Sequence, residues 1–214
     1  MHMHSARNPR DTQSKDSRKL NHRPGAPPDK TTRGVLPMLR NFPLEKAYQL
    51  LEPGPVVFLT TIHRGQANIM TMSWHMMVEF APPRIACVVS DANFSFQALR
   101  QTRQCVIAIP SADLVSTVVA IGNCSGRDVD KFADFGLTQL AAGYVASPLV
   151  AECFSNLECR VIDTRMVKKY NIFIMEAVKV WINDEHVNRK TVHHQSYGRF
   201  AVDGKTVILK SKTP

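Results

Sequence analysis

The sequence predicts a mostly β fold with short helices, an antiparallel barrel carrying helical insertions. Three observations lead there. Seven or eight runs rich in β-branched and aromatic residues are separated by Gly, Pro, Asn and Asp clusters. No regular α-crossover joins successive runs, and neither a G-x-G-x-x-G nor a Walker lysine loop occurs, which argues against a doubly wound nucleotide-binding sheet. The 180 residues after position 34 are enough to bury about 70% of their unfolded surface in a single core.

The elements follow in order. Pro43 starts a short helical pattern, Leu44–Leu51, and Pro53-Gly54 stops it. Pro55–Ile62 is a buried strand, Arg64-Gly65 a hairpin turn, and Ala67–Phe80 a second strand ended by Ala81-Pro82-Pro83. Arg84–Ser90 is a third strand, Ser95–Arg103 has helical spacing, and Cys105–Ile109 is a fourth strand. Leu114–Ile121 and Asp128–Phe135 are short helices, the latter closed by Gly136. Leu157–Ile162 and Ile172–Ile182 are strands, and Phe200–Leu209 is a hairpin turning at Asp203-Gly204.

Composition bounds the function. Apolar residues make up 44% and charged residues 21%, ordinary values for a globular protein. No apolar run is long enough to cross a membrane, and no apolar h-region of a secretory signal follows the first basic residues. The five cysteines form no C-x-x-C pair and sit mostly in apolar context, which argues against a thiolate zinc site and a disulfide framework and makes a reducing cytoplasm the simplest compartment. Of the 27 Lys+Arg and 18 Asp+Glu, eight and three fall in residues 1–34, a segment with no Phe, Trp or Tyr. That segment reads as a disordered basic tail ahead of a domain at 35–214. A solubilising extension is preferred for it over a nucleic-acid arm.

Four stretches carry candidate chemistry. Asn68-Ile-Met-Thr71-Met-Ser73-Trp74 alternates polar groups along a strand whose backbone would be open at a sheet edge, as a flat heteroaromatic ligand requires. Ser90-Asp-Ala-Asn93-Phe94-Ser95 runs from a strand end into a helix start, where free N–H groups suit a phosphate. Gly122-Asn-Cys124-Ser125-Gly126-Arg127-Asp128-Val-Asp130-Lys131-Phe132 pairs glycines with cations, and His193-His194-Gln-Ser-Tyr197-Gly198-Arg199-Phe200 is the fourth. Singly, each has a plainer account: a half-exposed strand, a helix cap, or a loop entering a helix. Adjacent His193 and His194 face opposite ways on a strand and cannot share a metal. Met70, Met72, Met76 and Met77 read as core filler, and Cys124 as a packed thiol.

In combination the stretches say more. Leu51-Glu-Pro-Gly-Pro-Val-Val, Asn68-x-Met70-Thr71-x-Ser73-Trp74, Pro82-Pro83-x-Ile85, Ser125-Gly126-Arg127-Asp128-x-Asp130-Lys131-Phe132, Leu157-Glu158-Cys159 and the terminal His-His…Gly…Phe…Ser211-Lys212 stand in a recurring order. Over residues 35–210 the chain resembles the flavin reductase-like family, FMN-binding split β-barrels that include flavoredoxins. The resemblance implies a homodimer with FMN at each subunit junction. It implies that Asn68, Met70, Thr71, Met72, Ser73 and Trp74 line the flavin ring, with Ser73 near its redox centre. Ser90, Asn93, Phe94 and Ser95 would hold the phosphate, and Ser125, Gly126 and Lys131 would lie near the flavin. No metal is expected. Where many members carry Asp-His and Gly-Glu, this chain has Tyr170-Asn171 and Met175-Glu176.

The function expected from this resemblance is an FMN oxidoreductase, an NAD(P)H-dependent flavin reductase supplying free flavin or a redox partner protein. NADH or NADPH could serve as donor without a Rossmann fingerprint, and hydride transfer requires no acid–base pair. A flavoredoxin-type electron carrier fed by a protein partner is the alternative. A non-enzymatic module using the tail on nucleic acid ranks last.

Overall fold

The computed structural model describes residues 39–51, 54–186 and 189–210. The basic segment 1–34, Pro53 of the helix stop and Ser211-Lys212 of the terminal motif lie outside the described residues. β1 (Leu39–Phe42) leads into a 3-10 turn at Leu44–Lys46 and the single helical turn α1 (Tyr48–Leu51). β2 (Val57–His63) and β3 (Gln66–Met72) form a hairpin through Arg64-Gly65. Both turn residues have positive φ, 51° and 78°, the local twist a two-residue hairpin needs. β4 (His75–Glu79), β5 (Arg84–Val88), α2 (Ser95–Thr102), β6 (Gln104–Ile109), α3 (Val115–Gly122) and α4 (Lys131–Asp134) follow. The two-residue strands β7 (Gln139–Leu140) and β8 (Leu149–Val150) pair with each other. β9 (Ser155–Asp163), α5 (Val167–Tyr170), β10 (Ile172–Asn183), β11 (Val192–Ser196) and β12 (Arg199–Val202) complete the order.

The main sheet runs β3-β2-β6-β9-β10-β5-β4, with β1 added along β10, and every pairing is antiparallel. β3 and β4 end this order, yet only Ser73 and Trp74 separate them in the chain. Three residue steps span at most about 11 Å. The first and last strands must therefore converge at that point, and the sheet rolls into an open barrel.

Alternation builds two cores. Val57 and Leu59 of β2, Cys105 and Ile107 of β6, Leu157 and Cys159 of β9 and Phe173 and Met175 of β10 fill the barrel. Phe58, Val106 and Ala108 point the other way, into a second cluster with Val118 and Ile121 of α3 and Phe132 of α4. β2 and β6 are thus covered on both faces, which explains their unbroken apolar runs. α2 is anchored in the barrel cluster by Phe96, whose ring meets Phe173 edge-on at 5.6 Å.

Three expectations need correction. The strand expected over Ala67–Phe80 is two strands, broken at Ser73–Trp74, where the Trp74 carbonyl accepts from Val88 N–H at 3.0 Å. The helix at Asp128–Phe135 shrinks to α4, because the Asp130 carboxylate caps it by accepting from the N–H groups of Phe132 and Ala133. The terminal hairpin turns at Tyr197-Gly198, not at Asp203-Gly204. Asp203 is committed elsewhere: its carboxylate accepts from Thr191 N–H, Thr191 Oγ1 and His193 Nε2 at 2.7–2.8 Å.

Candidate functional site

β3 ends the sheet order, so one of its long edges pairs with no strand, and two loops come to it. Asn68 is nearly buried on β3, and its Nδ2 donates to Ser95 Oγ at 2.8 Å, tying the strand to the first residue of α2. Ser95 is itself 1% exposed. The preceding turn is drawn tight by Asn93 N–H to the Ser90 carbonyl and Phe96 N–H to the Asn93 carbonyl. No side chain caps α2. Thr71, three residues along β3 and on the opposite face from Met70 and Met72, donates through Oγ1 to the Val118 carbonyl of α3 at 2.7 Å.

The second loop, 123–130, packs against the same place. A Cβ on Gly126 would lie 2.1 Å from Asn68 Oδ1 and 2.7 Å from the Phe94 ring, so only glycine allows the approach. The Arg127 guanidinium sits 5.9 Å from the Phe94 ring centre. Lys131 is 5% exposed and its Nζ donates to the Ile121 carbonyl at 2.8 Å; burial holds its pKa below the usual lysine value.

A cavity of about 190 Å³ results. It is lined by Asn68, Met70 and Thr71 of β3, by Asn93, Phe94 and Ser95, and by Ser125, Gly126 and Lys131, nine of the thirteen residues singled out in the sequence. The other four lie elsewhere. Met72 is buried in the barrel core, Trp74 is exposed, and Ser90 supplies the carbonyl that closes the turn. Ser73 lines a neighbouring cavity of about 210 Å³ that shares Thr71 and Gly122 with the first.

Residues outside the expected set join the site. Arg127 and Cys124 line the first cavity, while His194, Gly198 and Phe200 of the β11–β12 hairpin wall the second. All five lay in stretches the sequence had marked, but nothing local in those stretches says that the hairpin returns to β3. The Glu158 of Leu157-Glu158-Cys159 plays a different part. It is fully buried, and its carboxylate accepts from the N–H groups of Gly143, Tyr144 and Val145 and from Trp181 Nε1, fastening a loop.

An open strand edge, a thioether, hydroxyls and two cations at one wall make a donor set of definite kind. It suits a flat ring with a polar edge joined to an anionic arm. Residues 50–201 match the model of the flavin reductase like domain. The chain belongs to the flavin reductase-like family. An uncharacterised Escherichia coli protein, YddH, is 32% identical over 188 residues, covering 79% of this chain and 98% of that one. An uncharacterised protein of Archaeoglobus fulgidus is 27% identical over 138 residues, 62% of this chain and 78% of its own.

The fold has solved counterparts. An FMN-binding domain of a flavin reductases-like enzyme from Shewanella baltica superposes with a TM-score of 0.77 at 23% identity, covering 82% of this chain and all of that one. The flavoredoxin of Desulfovibrio vulgaris gives a TM-score of 0.68 at 23% identity, covering 75% of this chain and 92% of the other. The open barrel of this family member is therefore the FMN-binding split barrel. Among the described residues no helix is long and apolar enough to cross a membrane, and no His, Cys, Asp and Glu cluster could hold a metal ion.

Proposed function

We propose that this flavin reductase-like protein is an FMN-dependent oxidoreductase that takes electrons from NADH or NADPH and delivers them to free flavin or a redox partner. The observation that carries the reading is the convergence of the open β3 edge, the Ser90–Ser95 turn and the 125–131 loop on one cavity. The residues present fit FMN. Met70 and the β3 backbone face would lie against the ring, and Asn68, Ser95, Arg127 and Lys131 would hold polar and anionic groups. FMN, when bound, supplies two-electron chemistry between a nicotinamide and an acceptor. The protein's share is orientation and charge.

Ser95 Oγ accepts from Asn68, so its own O–H remains a donor for an anionic oxygen. Lys131 spends one of three N–H groups on Ile121 and keeps two. Gly126 holds the loop against Asn68 and Phe94, which leaves the cavity wall as backbone. A homodimer and a cytoplasmic setting belong to the same reading; five free thiols are in keeping with a reducing compartment.

The test is the visible spectrum of the purified protein before and after FMN, followed by anaerobic NADH or NADPH. A flavin spectrum that either nicotinamide bleaches supports the reductase. No uptake of FMN would end the reading. Bleaching by dithionite but by neither nicotinamide would replace it with a flavoredoxin-type carrier.

A further inference from the structure

A third cavity, of about 370 Å³, shares Asn68, Asn93, Phe94 and Arg127 with the first. Its remaining walls come from the end of β2, the Arg64-Gly65 turn, the start of β3 and one face of α2. Two features of it point to a ligand.

The first is Thr61. It is 1% exposed, lines this cavity, and its Oγ1 has no hydrogen-bond partner among the described residues. Its neighbour Thr60 shows the ordinary arrangement, donating to the Pro148 carbonyl at 2.7 Å. A buried hydroxyl without a partner destabilises a fold, so its retention at a cavity wall points to a ligand atom. The second is charge. His63, Arg64 and Arg127 line the cavity against a single carboxylate, Asp91. Neither arginine forms an ion pair among the described residues. Arginines without carboxylates, beside side-chain amides and an open hydroxyl, match the oxygens of a phosphate ester.

Building on the FMN reading above, we propose that this cavity is a phosphate subsite for the adenosine end of the dinucleotide donor. The donor's phosphate would meet Arg64 and the Thr61 hydroxyl, while its nicotinamide end reaches the adjoining flavin cavity past Asn68 and Phe94. The same phosphate chemistry could come from FMN itself, and the experiment separates the two sources.

The full chain, loaded with FMN, is titrated calorimetrically with 2′,5′-ADP and with adenosine. The expected result is binding of 2′,5′-ADP, weakened by salt, and much weaker binding of adenosine. Arg64→Asn removes the charge at a position whose φ of 51° asparagine tolerates, so the turn survives. It should weaken 2′,5′-ADP about 10- to 100-fold, the value of one charge-assisted hydrogen bond, and leave FMN affinity unchanged. Thr61→Val should also weaken the probe while raising the melting temperature, a pair of signs that a structural role would not produce. Loss of FMN affinity in Arg64→Asn with 2′,5′-ADP unaffected would assign the cavity to the flavin phosphate and overturn the proposal. Unchanged binding of both would overturn it as well. If the wild-type chain takes up no FMN yet binds 2′,5′-ADP with the same Arg64 dependence, the flavin reading falls and the subsite stands.

Discussion

Asn68 Nδ2 donates to Ser95 Oγ across 2.8 Å, although 27 positions separate the two residues. Both are buried, so the bond is made away from water and fixes the mouth of the barrel to the start of α2. Gly126 then closes on Asn68 from the other side. Three chain segments are held together by one amide side chain.

The first prediction follows from the donor that Ser95 has left. Ser95→Ala should weaken FMN by about 10- to 100-fold, the range of a hydrogen bond to a charged group, and leave riboflavin nearly untouched. Fluorescence titration with both flavins checks it. Equal losses for the two would mean that Ser95 does not face the phosphate.

Gly126→Ala tests the close approach. The new Cβ would meet Asn68 Oδ1 at 2.1 Å and the Phe94 ring at 2.7 Å, and the loop must move away. Overpacking of this kind costs about 1–3 kcal/mol. Thermal melting should show that loss, and the purified variant should carry less flavin than the wild type.

Much of this was legible in the sequence. Arg64-Gly65 announced its hairpin, and the polar alternation from Asn68 to Trp74 announced an edge strand against which two marked loops do pack. What escaped was non-local. β1 exists because Leu39–Phe42 pairs with Val180–Asn183, a register no local pattern reveals. The break at Ser73–Trp74 lies inside a run of strand-forming residues and is set by barrel closure. Asp203-Gly204 is a strong turn signal, but three hydrogen bonds to Thr191 and His193 outbid it, and the turn moves to Tyr197-Gly198. The hairpin's place beside Thr71 was hidden for the same reason.

A third prediction concerns assembly. Trp74, Met76, Val78 and Phe80 are all exposed at alternate positions along and immediately flanking β4, the strand that ends the sheet, Trp74 by 70% and Met76 by 63%. Apolar rows of this size usually meet a partner. Sedimentation should give twice the chain mass, and Met76→Glu should halve it without loss of secondary structure. A wild-type monomer carrying FMN would refute the homodimer.

Acid should loosen the terminal hairpin. Burial alone would raise the Asp203 pKa, but hydrogen bonds from Thr191 and His193 outweigh it and hold the carboxyl below its usual value. A carboxylate depressed in the folded state contributes stability above its unfolded pKa, about 3.9, and loses it as pH falls through the lower folded value. Amide exchange in β11 and β12 should therefore accelerate below about pH 4, ahead of exchange in β6 and β9. Asp203→Asn should show fast exchange in the hairpin already at neutral pH.

The last prediction separates a working residue from a structural one on the same strand. Ser73 lies in the break between β3 and β4 and lines the second cavity with Thr71 and Gly122. Its hydroxyl makes no hydrogen bond among the described residues, whereas that of Thr71 donates to Val118. Ser73→Ala should leave melting temperature, mass and flavin content unchanged, while Thr71→Val should lower the melting temperature. A hydroxyl aimed at developing negative charge stabilises it, and loss of such a donor slows acyl-transfer enzymes by about 10²–10³. The effect here should be smaller, because charge spread over a flavin ring leans less on one contact. Stopped-flow bleaching by NADH and by NADPH under nitrogen reads the rate. A slower Ser73→Ala with unchanged stability would place the hydroxyl at the reacting end of the site. An unchanged rate would leave Ser73 as a bystander, and the search for the orienting group would pass to His194 on the opposite wall of the same cavity.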